Sequence, residues 1–387
     1  MHRITLLLIL FLFIPDLYIY FLHIARKTKN RWLRIAYWIP TFLLVIGFYI
    51  IMNGTDGNAM AHHALAIGRL SICLFLLTVP KIIFMICSLI GLPFHYLLHW
   101  RRSPFTAVGS VLGMVIFFSI LYGTLVGISK FEVKNVEFHH PNLPKAFDGY
   151  RIVQLSDIHI GSWVENEKPI RRMVELANEQ QADLIVFTGD LVNQRSLELD
   201  GFQDILSQLH AKDGVYSILG NHDYGSYYHW KSQKDQENNM DSLVHKEQAM
   251  GWKLLKNEHS VLHHQGDSIA LIGVENEGEP PFSQFADLTK ASTGTESMFR
   301  ILLSHNPTHW RREVLPDTDI ELMLAGHTHA MQAIVFGRSL SSLIYPEWGG
   351  LYTDGSRGLY VNIGIGYVGL PFRFGAWPEI TVITLRN

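Results

Sequence analysis

The 387-residue sequence contains only two cysteines, Cys73 and Cys87, and both fall within a strongly apolar stretch. The polar remainder of the chain therefore has no thiol, which excludes a disulfide-stapled scaffold, a thiolate metal site and a cysteine nucleophile there. Acidic residues are nearly absent from the first 130 positions, where only Asp16 and Asp56 stand against 11 lysines and arginines. A chain that is 48% hydrophobic is also too apolar to be intrinsically disordered.

Charge divides the chain into two unlike parts at about residue 130. Residues 1–130 carry a net charge of +9, whereas residues 131–387, with 21 basic and 33 acidic side chains, carry −12. We accordingly expect residues 1–130 and residues 150–387 to form separate domains. The acidic second part argues against nucleic acid as a partner, since proteins that bind nucleic acid present a basic surface to the phosphates. No feature of the sequence indicates a protein partner.

Four apolar stretches fill the first part, at residues 4–23, 35–52, 70–98 and 105–128. Each approaches or exceeds the ~20 residues that a helix needs to cross a bilayer. The first could also be a cleaved signal peptide, but it lacks a small-residue cleavage pattern and precedes three further apolar stretches, which favours a retained span. We therefore predict an N-terminal anchor of four transmembrane helices.

Basic residues set the expected orientation of these spans. Five of them lie between the first and second stretches, namely Arg26, Lys27, Lys29, Arg31 and Arg34, and Arg101 and Arg102 lie between the third and fourth. The loop 53–69 has a single basic residue. By the positive-inside rule the first and third loops are cytoplasmic, which places everything after residue 130 outside the cytoplasm. A miscounted span would reverse this orientation.

Lys81 lies inside the third stretch, next to Pro80, and a charged side chain at such a depth is costly. We expect one long, kinked or tilted span there, with Lys81 facing other helices or reaching toward the interface. A transport site is the alternative interpretation. Against it, Asp16 is the only acidic residue in any of the four stretches that could partner a cation.

Residues 131–149 contain Pro141 and Pro144 and are typical of a linker or an edge strand that leads into the second domain. From residue 150 onward, short β-type runs alternate with helical patterns, which predicts a layered α/β fold. We expect strands at 151–155, 184–187, 215–219, 301–303 and 320–324, and helices at 167–179 and 201–210.

Each of these five strands runs into a turn that carries Asp, Asn or His. The turns are Ser-Asp-Ile-His at 156–159, Thr-Gly-Asp-Leu-Val-Asn at 188–193, Gly-Asn-His-Asp at 220–223, Ser-His-Asn-Pro at 304–307 and Ala-Gly-His-Thr-His at 325–329. Because ligands bind beyond the carboxyl ends of strands in open α/β sheets, the five turns can converge on one crevice. Their oxygen and imidazole ligands, without sulfur, suit Mn, Fe or Zn, and seven or eight ligands are enough for two ions. Paired metal ions typically bind phosphate oxygens and generate a hydroxide near neutral pH.

Taken in order, Asp-x-His, Gly-Asp-x-x-Asn, Gly-Asn-His-Asp, a downstream His and Gly-His-Thr-His resemble the calcineurin-like metallophosphoesterase family over residues 150–385. The stretches 252–258, 364–366, 371–375 and 378–380 also resemble the membrane-anchored or exported bacterial-type members of that family. The resemblance implies a four-layer α/β/β/α metallophosphoesterase sandwich that hydrolyses phosphoesters at two divalent metal ions.

The resemblance also implies roles for individual residues. One ion would be held by Asp157, His159 and His329, the other by Asn221, His305 and His327, and Asp190 would bridge the two. A hydroxide between the ions would attack phosphorus. His222 would stabilise the transition-state charge or protonate the leaving oxygen as a general acid, and Asp223 would orient His222 through a hydrogen bond. Asn193 would support its loop without touching metal.

Three further residues are candidates for contact with the substrate, and each has a structural alternative. Arg373 could pair with a phosphate or with a structural acid. Trp163 and Tyr224 follow two of the metal-binding turns. With other nearby aromatic residues they could form a lip for the substrate, or they could pack against a helical insert at about 229–250.

Together these features predict a multi-pass protein of the cell membrane with an extracytoplasmic phosphoesterase domain. Its partners would be the membrane and a phosphomonoester, phosphodiester or pyrophosphate, and attachment to a bilayer favours a lipid- or envelope-linked substrate. The alternative is a membrane-anchored binding or signalling module whose phosphoesterase site is vestigial. A lost ligand would favour that alternative, and the motifs show none.

Overall fold

The computed structural model describes residues 2–52, 62–97, 104–280 and 282–387. These residues form two compact units, one of Met1–Val126 with Gly369–Phe372, the other of Gly127–Val368 with Arg373–Asn387. Arg101 and Arg102, on which the expected orientation partly depends, lie outside the described residues, as do residues 53–61 of the second loop.

The first unit consists of apolar helices. They are α1 His2–Ile19, continued by a π-helical turn at Tyr20–Ile24, α2 Arg31–Ala36, α3 Ile39–Met52, α4 Ala64–Leu97 and α5 Pro104–Leu125. By length and composition, the described helical stretches Arg31–Ile51, Ala64–Phe94 and Pro104–Ser129 can cross a membrane, and Leu10–Ile24 is a shorter apolar helix. Helix α4 runs through Pro80 without a break, which confirms the single long span expected there.

Helices α4 and α5 approach each other closely because α5 presents small residues to α4. A Cβ atom placed on Gly109 would lie 2.8 Å from the Cβ of Cys87, and one placed on Gly113 would lie 3.0 Å from the Pro80 carbonyl oxygen. Glycines four positions apart allow two helix backbones to meet, a common device where lipid supplies no hydrophobic drive for association.

The second unit is built mainly from two six-stranded sheets within the described ranges. Its strands are β1 Glu132–His139, β2 Arg151–Leu155, β3 Leu184–Phe187, β4 Val215–Ser217, β5 Lys253–Leu254, β6 Glu258–His264, β7 Asp267–Gly273, β8 Phe299–Leu303, β9 Leu322–Ala325, β10 Ile334–Val335, β11 Arg338–Ser339, β12 Gly350–Asp354, β13 Arg357–Val361 and β14 Glu379–Arg386. Its α-helices are α6 Lys168–Glu179, α7 Gln203–Leu206, α8 Gln233–Ala249, α9 Leu288–Ser292 and α10 Leu315–Asp317.

The strand order places the polar turns at matching strand ends. The first sheet has the order β1-β14-β2-β3-β4-β5, and the second has the order β12-β13-β9-β8-β7-β6. Strands β2, β3 and β4 are adjacent and parallel in the first sheet, and β8 and β9 are adjacent and parallel in the second. All five strands expected to end in ligand-bearing turns therefore present their carboxyl ends side by side within their sheets.

Alternating side chains show that the sheets are stacked between helical layers. In β2, Ile152 belongs to a core shared by both sheets, whereas Val153 belongs to the core beneath α6. In β7, Leu271 faces the shared core and Ile272 faces the core that contains α9. Because successive side chains of a strand point to opposite faces, each sheet has the other sheet on one side and helices on the other. The predicted α/β/β/α sandwich is confirmed.

The sequence-based expectation is met in one of the next two segments, where an edge strand is one of the alternatives, and missed in the other. The segment 131–149 contains β1, which lies at the edge of the first sheet and pairs in parallel with β14 from Glu132↔Glu379 to His139↔Arg386. The helix expected at 201–210 is reduced to the single turn α7. Gly201, with φ of +85°, starts a turn rather than a helix at this point.

Candidate metal centre

The strand-end turns bring the predicted ligands into one buried cluster. Ligand atoms within 4.8 Å of one another form three groups among the described residues: Asp157, His159 and His329; Asp190, His305 and His327; and His159, Asp190 and His222. The first two groups have the composition expected for two neighbouring ions, and the third connects them through shared members.

The first group lies where β2 and β9 end. Nε2 of His329 is 3.3 Å from Oδ1 of Asp157 and 3.0 Å from Nε2 of His159. The Asp157 carboxylate also accepts the Ser156 hydroxyl at 2.5 Å and the backbone N–H of His327 at 3.0 Å. These bonds hold the carboxylate in one orientation and connect the turn after β2 with the turn after β9.

In the second group His305 and His327 follow β8 and β9, and Asn221, which follows β4, lies beside them. Oδ1 of Asn221 is 2.9 Å from Nδ1 of His327, so the amide oxygen and the imidazole converge on one point. The amide nitrogen of Asn221 donates to the Tyr227 hydroxyl at 2.8 Å, which fixes the oxygen on the side of His327. The rings of His305 and His327 are nearly perpendicular, with centroids 5.2 Å apart.

Asp190 belongs to the second group and also faces the first. Its Oδ2 atom is 3.6 Å from Nε2 of His159 in the first group and 3.3 Å from Nε2 of His305 in the second. Its Oδ1 atom accepts the backbone N–H of His222 at 2.8 Å. One carboxylate thus faces a ligand from each group while its second oxygen is held by the neighbouring turn.

The backbone of this cluster is strained. Asp157, His159, Asp190, His327 and His329 all have positive φ, from 45° to 74°. Non-glycine residues rarely adopt this left-handed conformation, and such strain persists in folded proteins mainly at functional sites.

The glycines that directly precede Asp190 and His327 act in two different ways. Gly189 has φ of +94°, so it does relieve a turn. Gly326 instead provides space, because a Cβ atom there would collide with the hydroxyl of Ser156 and the carboxylate of Asp157.

The carboxylates of Asp157 and Asp190 are held in their ionised form. Burial alone would raise the pKa of Asp157, but the imidazoles of His329 and His305 outweigh it and hold that pKa well below its usual range. For Asp190 too, burial would raise the pKa, but the neighbouring imidazoles of His305 and His222 outweigh burial and keep the pKa low. Ionised carboxylates are the form that binds metal.

Two of the imidazoles are held in the neutral form, whereas a third favours the protonated form. Burial and the neighbouring His222 hold the pKa of His159 far below its usual value, and burial with His305 lowers the pKa of His327 to about 3. Burial disfavours the charged form of His305 as well, but the carboxylate of Asp190 prevails and raises its pKa to about 9. The site therefore favours positive charge at the point where His305 meets Asp190.

Buried atoms without partners show that a cation fits this point. Nδ1 of His305 donates to the Thr188 carbonyl at 2.7 Å, so in the neutral ring Nε2 carries a lone pair that faces Asp190. Among the described residues this buried Nε2 atom has no hydrogen-bond partner. In the first group, Nε2 of His159 and Nε2 of His329 also face each other at 3.0 Å. A lone pair directed at a carboxylate is repelled unless a proton or a metal cation lies between them, and a second nitrogen bonded to a carbonyl, as in His305, is typical of metal-binding histidines.

His222 and Asp223 are arranged differently from the expectation. Nδ1 of His222 donates to the Asn193 carbonyl at 2.7 Å, whereas the described contacts of the Asp223 carboxylate go elsewhere. That carboxylate accepts backbone N–H groups of Gly220, Asp190, Leu191 and Val192, at 2.8 to 3.1 Å. Asp223 therefore joins the turns after β3 and β4, and the orienting role expected of it falls to Asn193. Burial and the nearby Asp190 raise the pKa of Asp223 to about 7.

Arg373 does not reach a substrate-accessible surface in this structure. Its side chain is fully buried and donates to the carbonyls of Gly366, Ala376 and Ile363 at 2.8 to 2.9 Å. Nη2, the nitrogen that donates to Ile363, also lies 3.1 Å from Nδ1 of His329. In this position the guanidinium fixes the C-terminal loop around His329, so the phosphate alternative considered for Arg373 gains no support from its contacts.

Trp163 and Tyr224 also turn inward. Trp163 is buried and donates its indole N–H to the Ile158 carbonyl at 3.0 Å, and Tyr224 contacts Glu275 through its hydroxyl at 3.3 Å. Packing, the structural alternative for both, accounts for these positions. Of the aromatic residues that follow the metal-binding turns, Tyr227 does reach the metal centre, because its ring centroid lies 4.4 Å from that of His222.

Sequence reasoning missed two residues around His327. The Tyr345 hydroxyl is 3.0 Å from Nε2 of His327, and the Phe282 ring stands perpendicular to the same imidazole with centroids 4.7 Å apart. Both come from irregular segments, where neither periodicity nor a motif distinguishes them. A tyrosine 18 residues beyond a ligand gives no local signal.

Comparison with known proteins agrees with this architecture. A family model described as probable calcineurin-like phosphoesterase, transmembrane domain, matches residues 2–128, and a second, described as calcineurin-like phosphoesterase, matches residues 150–331. The first description specifies a transmembrane domain, in agreement with the predicted membrane anchor.

Several relatives are similar along most of their length. A transmembrane protein with metallophosphoesterase domain from Danio rerio is 33% identical over 308 residues, which cover 75% of this chain and 67% of that protein. An uncharacterized metallophosphoesterase from Bacillus subtilis is 33% identical over 265 residues, which cover 63% of this chain and 82% of that protein. An uncharacterized metallophosphoesterase from Helicobacter pylori is 27% identical over 352 residues, which cover 88% of this chain and 89% of that protein. Since its spans and its catalytic unit are both matched within one family, the chain belongs to the calcineurin-like metallophosphoesterases and is a transmembrane, metal-dependent phosphoesterase.

Proposed function

We propose that the protein hydrolyses phosphoesters at a pair of divalent metal ions. Asp157, His159 and His329 would hold one ion, and Asn221, His305 and His327 would hold the other. The observation that carries this proposal is the position of Asp190, whose Oδ2 atom lies 3.6 Å from His159 and 3.3 Å from His305. A single ion would leave one of these groups of ligands unused.

Two bound divalent ions, whether Mn, Fe or Zn, would neutralise phosphate oxygens and supply a hydroxide near neutral pH. The chain itself supplies a proton donor. Since Nδ1 of His222 is engaged by the Asn193 carbonyl, Nε2 carries a proton only in the imidazolium form. In that form His222 would stabilise negative charge on the phosphoryl group and pass the Nε2 proton to the leaving oxygen.

We further propose that the catalytic unit faces away from the cytoplasm and acts on a lipid- or envelope-linked phosphoester. Support for the orientation comes from the basic residues of the first loop, of which Arg26, Lys27 and Lys29 are examples. Support for the substrate class comes from the membrane spans, because a hydrolase of a freely diffusing substrate gains nothing from a bilayer anchor. Phosphomonoesters, phosphodiesters and pyrophosphates all fit a site of this chemistry.

A panel of phosphoesters tests the proposal on the full-length protein in detergent. Aryl phosphomonoester, aryl phosphodiester and pyrophosphate would be offered with Mn²⁺, and bound metal would be measured by elemental analysis of the same preparation. Asp190→Asn should abolish hydrolysis and lower metal content, whereas Asp204→Asn, on an exposed helix start of the same unit, should change neither. Full activity of Asp190→Asn would contradict the bridging role. Metal binding without hydrolysis of any ester would favour the alternative, a binding or signalling module with a vestigial site.

A further inference from the structure

A short segment that follows the last metal-binding turn exposes a high density of large apolar side chains. We call Met331–Ile344 the exposed apolar segment. The described residues of the second unit include twelve large apolar side chains that are exposed. Six of these twelve lie in the segment: Met331, Val335, Phe336, Leu340, Leu343 and Ile344. Phe336 is fully exposed, and Leu343 and Leu340 are 81% and 65% exposed. Single apolar residues on a surface need no explanation, but a cluster of them marks a surface that meets another apolar phase.

The exposed apolar segment has a fixed frame. Strands β10 and β11 form a two-residue antiparallel ladder, and its backbone is tied down by Ile334, whose N–H donates to the Phe374 carbonyl at 2.8 Å. At the tip, Phe336 has φ of +52°, a conformation that favours glycine or asparagine and is costly for a bulky residue. The backbone at the tip of the hairpin is therefore strained, and the aromatic ring it carries is exposed.

Charge sets the exposed apolar segment apart from the rest of its unit. It contains one charged residue, the exposed Arg338, and no acidic residue, whereas residues 131–387 as a whole carry a net charge of −12. The first acid beyond it, Glu347, is buried and accepts from Nε of Arg311 at 2.7 Å. Apolar side chains beside a lone cation are typical of elements that lie in the headgroup region of a membrane with anionic lipid.

The unit that carries this segment is tethered closely to the membrane spans along the chain. The last candidate span ends at Ser129, and β1 of the catalytic unit begins at Glu132, so only two residues lie between them. A short tether raises the effective concentration of the tethered surfaces, which allows a weak apolar contact to be occupied. Any freely diffusing partner would have to compete with a bilayer that is always present.

We propose that the exposed apolar segment docks on the bilayer surface, with Phe336, Leu340 and Leu343 in the interfacial region and Arg338 at the headgroups. The segment begins two residues after His329, and just beyond its end the Tyr345 hydroxyl lies 3.0 Å from Nε2 of His327. Docking would hold the rim of the metal centre at the depth where a lipid phosphoester lies. This consequence rests on the proposed function, whereas docking itself does not.

Site-specific fluorescence in proteoliposomes tests the docking. Single cysteines would be placed at Phe336 and Leu343 in full-length protein carrying Cys73→Ala and Cys87→Ala, and labelled with an environment-sensitive dye. The vesicles would contain phosphatidylcholine and phosphatidylglycerol, with and without spin-labelled phosphatidylcholine. Leu197→Cys provides the matched control, because Leu197 is an exposed apolar residue of the same unit outside the segment.

We expect blue-shifted emission that the spin-labelled lipid quenches at positions 336 and 343, and neither effect at 197. Equal, water-like emission at all three positions would overturn the proposal. A blue shift that the lipid probe does not quench, and that grows with protein density, would overturn it in favour of a second copy as the partner. Because the readout is not activity, docking without hydrolysis would refute the proposed function alone, and hydrolysis without docking would refute this inference alone.

Discussion

The carboxylate of Asp16 lies 2.5 Å from Nζ of Lys81, and Asp16 is fully buried among the apolar helices of the first unit. The same carboxylate accepts the hydroxyls of Thr41 at 2.5 Å and Tyr37 at 2.8 Å. The expectation that Lys81 faces other helices is thus confirmed. Its partner is the acid that the sequence singled out as the only one within the apolar stretches.

We expect Asp16→Leu and Lys81→Leu to lower the thermal midpoint of the detergent-solubilised protein when introduced separately, and far less when combined. Removing one partner leaves an uncompensated charge in an apolar surrounding, which typically costs about 3–5 kcal/mol for a buried pair. Removing both eliminates that charge, although Thr41 and Tyr37 lose an acceptor. Thermal unfolding of the two single variants and the double variant forms a double-mutant cycle. Additive destabilisation would show that the pair is not coupled.

The metal centre shows which features a sequence can predict. Asp157, His159 and Asp190 follow strands whose ends are recognisable from apolar runs and glycines, and the structure places all three in one cluster. The partners of Asp223 could not be predicted, because it binds backbone N–H groups, which carry no residue signal. The inward position of Arg373 could not be predicted either, since burial of a guanidinium depends on carbonyls that only tertiary structure brings together.

His222→Ala should lower turnover of an aryl phosphodiester by roughly 10²–10⁴, the usual contribution of general acid–base catalysis, without loss of bound metal. The reason is that Nδ1 of His222 is held by the Asn193 carbonyl, which leaves Nε2 directed toward the site as a proton donor. Steady-state kinetics and elemental analysis would be run on the same preparation. His210→Ala, at an exposed position of the same unit, is the control. Loss of metal in His222→Ala would instead make His222 a ligand, together with His159 and Asp190.

The proposed orientation predicts which cysteines a membrane-impermeant maleimide reaches in intact cells. The residues after 130 contain no cysteine, so Leu197→Cys in protein lacking Cys73 and Cys87 reports on the catalytic unit alone. We expect it to react in intact cells, whereas Lys29→Cys, in the basic first loop, should react only after permeabilisation. The reverse pattern would place the catalytic unit in the cytoplasm with all four spans inverted, and protection of both positions in intact cells would indicate a miscounted span.

The buried carboxyl group of Glu247 leads us to expect that the stability of the folded protein falls as pH rises. This carboxyl group is buried in α8 and lies 2.5 Å from the Ser217 hydroxyl, and its other oxygen has no hydrogen-bond partner among the described residues. Burial raises the pKa of Glu247 from 4.5 to about 8 despite the hydroxyl, and the nearby Asp223 acts in the same direction. Because the folded state holds this proton more tightly than the unfolded state, the stabilisation is complete below pH 4.5 and is lost as pH rises toward about 8.

Glu247→Gln should therefore flatten the pH dependence of the thermal midpoint across this window. The amide keeps an oxygen that can accept from Ser217 but has no charge to desolvate, whereas the acid loses about 1.4 kcal/mol for each pH unit. Thermal unfolding of the full-length protein in detergent would be followed at several pH values within the window. Glu237→Gln, on the exposed side of the same helix, should keep the wild-type slope. If the Glu247→Gln and wild-type curves run parallel, the carboxyl group is ionised in the folded protein, and a cation or water must reach it from α8 or β4.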